Sequence, residues 1–77
     1  MTPAEIEKLV LKTISTIAPE SDLDSLKPDV VFRDQIQFDS VDCVNFIEQI
    51  QKTLDIKIPE TDYPQLTSLN GCIDYLR

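Results

Sequence analysis

Seventy-seven residues carrying one glycine, no histidine and a net charge of −7 describe one small domain with a modest core. So few glycines exclude a barrel or sandwich built on many tight turns. Without histidine there is no Ser-His or Cys-His nucleophile and no imidazole metal ligand, and two cysteines alone cannot build a zinc site.

Fourteen acids against seven bases disfavour nucleic acid and anionic membranes and steer the chain toward basic patches on partner proteins. The same acidity also serves plain solubility. No apolar run is long enough for membrane insertion, and the N-terminus lacks a signal-peptide pattern, so the expected location is cytoplasmic.

The first helix is signalled by Thr2 at the N-cap, Pro3 at the first helical position and Glu5 completing a T-x-x-E capping box. Ile6, Leu9, Val10, Ile14 and Ile17 recur at helical spacing, and Pro19 stops the run. Residues 18–39 read as a long loop whose isolated apolar residues pack over the core. Within it Val30-Val31-Phe32 could pass for a short strand, but no neighbouring segment offers it a partner. The acidic run Ser21-Asp22-Leu23-Asp24-Ser25 lacks the glycine and closing glutamate of a calcium loop.

A second helix is expected over Ser40–Leu54 with Asp39 as N-cap. Cys43, Phe46, Ile47, Ile50 and Leu54 form its inward stripe; Val41 and Val44 lie off it, as scattered surface or as a docking face. Ile56-Lys57-Ile58-Pro59 reads as an extended linker, and residues 60–63 as one helical turn ended by Pro64. The last helix starts near Thr67 or Ser68 and buries Leu69, Cys72, Ile73 and Leu76, with Gly71 at a close helix contact. Cys43 and Cys72, both on apolar stripes, are expected as buried free thiols, and Tyr63 and Tyr75 as core-edge residues with wet hydroxyls. The expected fold is all-α: three principal helices, one short helix, and a long loop between helices one and two.

One segment stands out, Phe38-Asp39-Ser40-Val41-Asp42, a serine between two acids at a helix start. Such a serine can be an ordinary first-turn residue. It can also be an attachment point, because unpaired N–H groups and a partial positive charge at a helix N-terminus suit a phosphate. In its order of elements the chain resembles the acyl carrier protein family of phosphopantetheine-binding carriers. The resemblance rests on Phe32-Arg33-Asp34, Phe38-Asp39-Ser40-Val41, Phe46-Ile47-Glu48, Leu54-Asp55-Ile56-Lys57-Ile58-Pro59 and Ile73-Asp74-Tyr75-Leu76, and covers essentially residues 1–77 as a single domain.

The resemblance implies that Ser40 receives 4′-phosphopantetheine from coenzyme A through a phosphopantetheinyl transferase. The arm's thiol then holds acyl groups as thioesters, so the chain is a carrier and not an enzyme. It further implies partner docking through Asp39, Val41, Asp42, Val44 and Glu48 by a loading ligase or acyltransferase and downstream acyl-processing enzymes, with the carrier itself a monomer. A D-alanyl or aminoacyl cargo stays open, as does an unmodified helical adaptor docking through helix two.

Three departures from the family pattern stand out. Ile36-Gln37-Phe38 replaces the usual glycine before the Asp-Ser pair, which suggests a stiffer, more apolar loop, and Val41 replaces the usual leucine. The outer face of helix two carries Asn45, Gln49, Gln51 and Lys52 where fatty-acid carriers are commonly acidic. That last difference suggests a specialised lipid, polyketide or secondary-metabolite pathway.

Overall fold

Three α-helices and three 3-10 segments make up the computed structural model, which describes residues 1–77: α1 (Pro3–Ile17), α2 (Ser40–Leu54) and α3 (Leu69–Leu76), with 3-10 segments at Leu23–Ser25, Phe32–Asp34 and Glu60–Leu66. The all-helical expectation holds. Val30-Val31-Phe32 is not a strand: it leads into a 3-10 turn, and the Phe32 N–H donates to the Thr67 carbonyl.

Helix α1 begins as its sequence dictates. Thr2 Oγ1 accepts from the Glu5 N–H while Glu5 Oε1 accepts from the Thr2 N–H, so two donors at the helix start are satisfied reciprocally. Its stripe buries Ile6, Val10 and Ile14, with Leu9 and Ile17 half-buried. Thr13 is also buried, and its hydroxyl donates to the Leu9 carbonyl at 2.8 Å, so no polar atom is stranded. Helix α2 buries Phe46, Ile47 and Ile50, and α3 buries Leu69 and Cys72. Helix α1 packs against both α2 and α3.

The long loop is fastened, not slack. Phe32 inserts into the core, and its ring meets Phe38 and Phe46 edge-to-face at 5.8 and 5.5 Å, with 5.9 Å between the latter two. Such pairs add about 0.5–1.5 kcal/mol each beyond the area they bury. Gln35 clamps the loop from within: its Oε1 accepts from the Lys27 N–H, and its Nε2 donates to the carbonyls of Lys27 and Val30. The Asn70 N–H donates to the Pro28 carbonyl, tying the loop to α3. These bonds satisfy backbone groups that a loop lying over a core would otherwise leave unpaired.

Two expectations need correction around the linker. Gln51 does not stand on the outer face of α2. It is half-buried, its Oε1 accepts from the Ile58 N–H at 2.7 Å, and its carbonyl takes the Ile56 N–H. Next to it Asp55 closes α2 in the left-handed region at φ 53°, a conformation aspartate tolerates better than most residues. Second, the helical turn after Pro59 does not end at Pro64. It runs as a 3-10 helix through Pro64 to Leu66, a geometry that avoids the clash proline makes with the carbonyl four residues back in an α-helix.

That 3-10 helix lies against α3 at Gly71, where a Cβ would collide with the Gln65 carbonyl oxygen. The close contact expected at Gly71 is therefore real, and it explains why the best helix former is absent there. Gly71→Ala is expected to destabilise the fold by roughly 1–3 kcal/mol despite alanine's higher helix propensity, read as a lower urea midpoint; an unchanged or raised midpoint would contradict the packing described.

Candidate functional site

Helix α2 opens at an unusually well-defined point. Phe38 is buried in the aromatic cluster, and the next residue, Asp39, is exposed and extended at φ −84°, ψ −176°. The approach therefore needs no left-handed residue, and the missing glycine costs nothing: Asp55 has the chain's one positive φ. A large apolar side chain at 38 instead pins the strand of loop that delivers the helix start.

Asp39 is the N-cap. Its Oδ1 accepts from the Asp42 N–H at 2.9 Å, and Asp42 Oδ2 accepts from the Asp39 N–H at 3.3 Å. This is a capping box with aspartate at the third helical position, where the sequence signature calls for Glu or Gln. The aspartate at that position hides the box from the sequence signature. Asp42, expected as a docking acid, is half-buried and committed to this box.

Ser40 is the first residue of α2 and is exposed. Because Asp39 caps the helix, the Ser40 hydroxyl is not needed for that purpose. The N–H groups of Ser40 and Val41 take no backbone acceptor, leaving donors and the positive end of the helix dipole beside the hydroxyl. Those features fit a phosphodiester on Ser40. A hollow of about 230 Å³ opens there, lined by Arg33, Phe38, Asp39, Ser40, Cys43 and Thr67.

It adjoins a groove of about 370 Å³ between α2 and the 3-10 helix, with Phe38, Cys43, Val44, Phe46, Ile47, Tyr63, Pro64 and Leu66 among its walls. The two share Phe38, Cys43 and Thr67, so the groove begins where the serine stands. Its far wall is held by Tyr75, whose hydroxyl donates to Asp62 Oδ2 at 2.7 Å. That bond holds the Tyr75 phenol above its ordinary range, and Tyr75 stands half-buried at the core edge, as expected from sequence.

Of the remaining residues singled out in sequence, Val41, Val44 and Glu48 are exposed along α2, the valines at 66% and 41%. At spacings of three and four they lie along neighbouring turns of one surface. Asn45, Gln49 and Lys52 are exposed as well, so Glu48 is the acid on this helix that stays free of the capping box.

The cysteines are both free but not equivalent. Cys72 is fully buried, as expected, and burial pushes its thiol up to about 12. Cys43 is only half-buried, a correction to the expectation. One turn beyond Ser40, it lies at the margin of the stripe. Desolvation raises its thiol, and the Arg33 charge partly offsets the rise.

Residues 8–76 match the family described as "Phosphopantetheine attachment site". The chain is 30% identical over 76 residues to an acyl carrier protein of Chlorobium phaeobacteroides, covering 99% of this chain and 96% of that one. It is 32% identical over 76 residues, with the same coverage, to an acyl carrier protein of Chlorobium phaeovibrioides. A protein named as a mitochondrial acyl carrier protein in Schizosaccharomyces pombe is 29% identical over 72 residues; the match covers 94% of this chain and 64% of that relative. No helix is long and apolar enough to cross a membrane.

The thiols give the site a direct readout. Brief alkylation of the native protein near pH 8 is expected to modify Cys43 and spare Cys72, whereas both react in denaturant. Equal labelling in the native state would contradict the burial difference.

Proposed function

The chain belongs to the phosphopantetheine-attachment family of acyl carrier proteins, and on that premise we propose that Ser40 is its attachment residue, within a single carrier domain spanning residues 1–77. Proteins of this family are carriers, not catalysts, and their cofactor is covalent 4′-phosphopantetheine. The carrying observation is the division of labour at the α2 start: Asp39 and Asp42 satisfy the cap, and Ser40 stands exposed beside free N–H donors.

The arm supplies a thiol able to hold acyl groups as thioesters. Everything else falls to the protein's geometry. Ser40 presents a hydroxyl with no base of its own, so a partner transferase would take its proton as Oγ bonds the phosphopantetheine phosphorus and the pyrophosphate bond of coenzyme A breaks, with adenosine 3′,5′-bisphosphate leaving. Asp39 and Asp42 hold the helix start rigid, and the helix dipole offsets the phosphodiester charge. The groove beside Ser40 offers apolar shelter of the kind an acyl group favours over an aminoacyl one.

Val41, Val44, Asp39 and Glu48 supply the docking surface for the transferase, a loading ligase or acyltransferase, and acyl-processing enzymes. Asp42 contributes through the cap it completes. With Asn45, Gln49 and Lys52 exposed, this face projects a weak negative field, which supports service in a specialised pathway. Poor turnover by fatty-acid synthesis enzymes of the same host is the expected outcome; efficient turnover would contradict specialisation.

Co-expression with a promiscuous phosphopantetheinyl transferase tests the attachment. Wild type is expected to gain the mass of one arm and Ser40→Ala none. An unmodified wild type would favour the unmodified adaptor, and a modified Ala variant would move the site elsewhere.

A further inference from the structure

The mouth of the site is crowded with negative charge before any phosphate arrives. Asp39, Asp42 and Glu20 line the hollow of about 550 Å³ on the α1 side of the helix start. Attachment at Ser40 adds a further anion within the first turn. The helix dipole, worth about half an elementary charge, is already engaged by the two capping carboxylates.

Arg33 is the cation that borders this place. It lines both the 550 Å³ hollow and the 230 Å³ hollow that contains Ser40, and no other lysine or arginine lines either. It is exposed and has no carboxylate within ion-pair distance; the chain's one salt bridge joins Arg77 to Asp74. Asp39 and Asp42 each give one carboxylate oxygen to the other's backbone N–H, and neither lies within ion-pair distance of Arg33. Its backbone is fixed by the 3-10 turn Phe32–Asp34, whose first residue is locked in the aromatic cluster. A guanidinium so placed offers the forked donors that match phosphate oxygens. Its field also reaches the helix, where it offsets part of the rise that burial imposes on the Cys43 thiol.

We propose that Arg33 is a cofactor-binding residue that pairs with the phosphodiester on Ser40, holding the root of the arm toward the hollow shared with Cys43 and Thr67. The proposal rests on Ser40 being the attachment residue. The pair forms only after modification, so it stabilises the modified protein and leaves the unmodified one unchanged. Arg33 is thus the residue by which this chain accepts an added negative charge at a helix start that Glu20, Asp39 and Asp42 already make acidic.

The test compares thermal midpoints of modified and unmodified protein, with loading verified by intact mass, for wild type, Arg33→Ala and Arg33→Lys. Arg33→Ala is expected to lower the modified-minus-unmodified difference by roughly 1–4 °C at low salt, the scale of one exposed ion pair in a domain this size. Lysine is expected to restore part of it, and about 1 M salt to erase it. The phosphorus-31 resonance of the modified wild type is expected to shift in the Ala variant.

An unchanged midpoint difference together with an unmoved phosphorus resonance overturns the contact while leaving attachment at Ser40 intact. A slower modification rate with those two readouts unchanged assigns Arg33 to the transferase encounter and likewise overturns it. Absence of any mass gain in wild type refutes the attachment reading itself, and the contact with it.

Discussion

Three phenylalanine rings meeting edge-to-face join three successive segments of the chain: Phe32 from the long loop, Phe38 from the approach to α2, and Phe46 from the middle of α2. All three are buried. Because Phe38 is locked there and the next residue is the helix cap, the position and direction of the α2 start follow from the core. Because Phe32 is locked there, Arg33 is delivered to the same mouth. The aromatic cluster thus converts core packing into the placement of one exposed serine.

A division of roles follows along the first turn of α2. Carboxylates at Asp39 and Asp42 close the capping box, so the serine between them has no structural duty and can be substituted chemically at little cost to the helix. The groove between α2 and the 3-10 helix starts at the same place, bounded on its outer side by a segment held through Gly71 and the Tyr75–Asp62 bond. That outer wall is a single seven-residue 3-10 helix, Glu60–Leu66.

Much of this was legible in the sequence, for reasons that differ by element. The cap of α1 is written in a four-residue signature, and the stripes of α1 and α2 repeat at helical spacing, so local physics was enough. Asp39 and Ser40 were readable for the same reason. What was not legible depends on contacts between distant residues or on geometries with weak signatures. The Gln35 clamp joins backbone groups five and eight residues away and leaves no pattern. Gln51 looked like a polar outer residue because periodicity cannot show that a linker N–H folds back onto it. Asp42 as a capping partner was hidden by its short side chain, and the 3-10 helix through Pro64 by the rule that proline ends α-helices. Arg33 was visible only as part of the Phe32-Arg33-Asp34 segment, since its place beside Ser40 comes from the loop geometry.

The question at the centre is whether the exposed serine of the Asp39–Asp42 cap carries the arm. Fragment-ion mass spectrometry of the modified protein locates the group among Ser15, Ser21, Ser25, Ser40 and Ser68, the chain's five serines. The structure predicts that every fragment bearing the phosphopantetheine mass contains Ser40. A fragment that carries the group without Ser40 would contradict it.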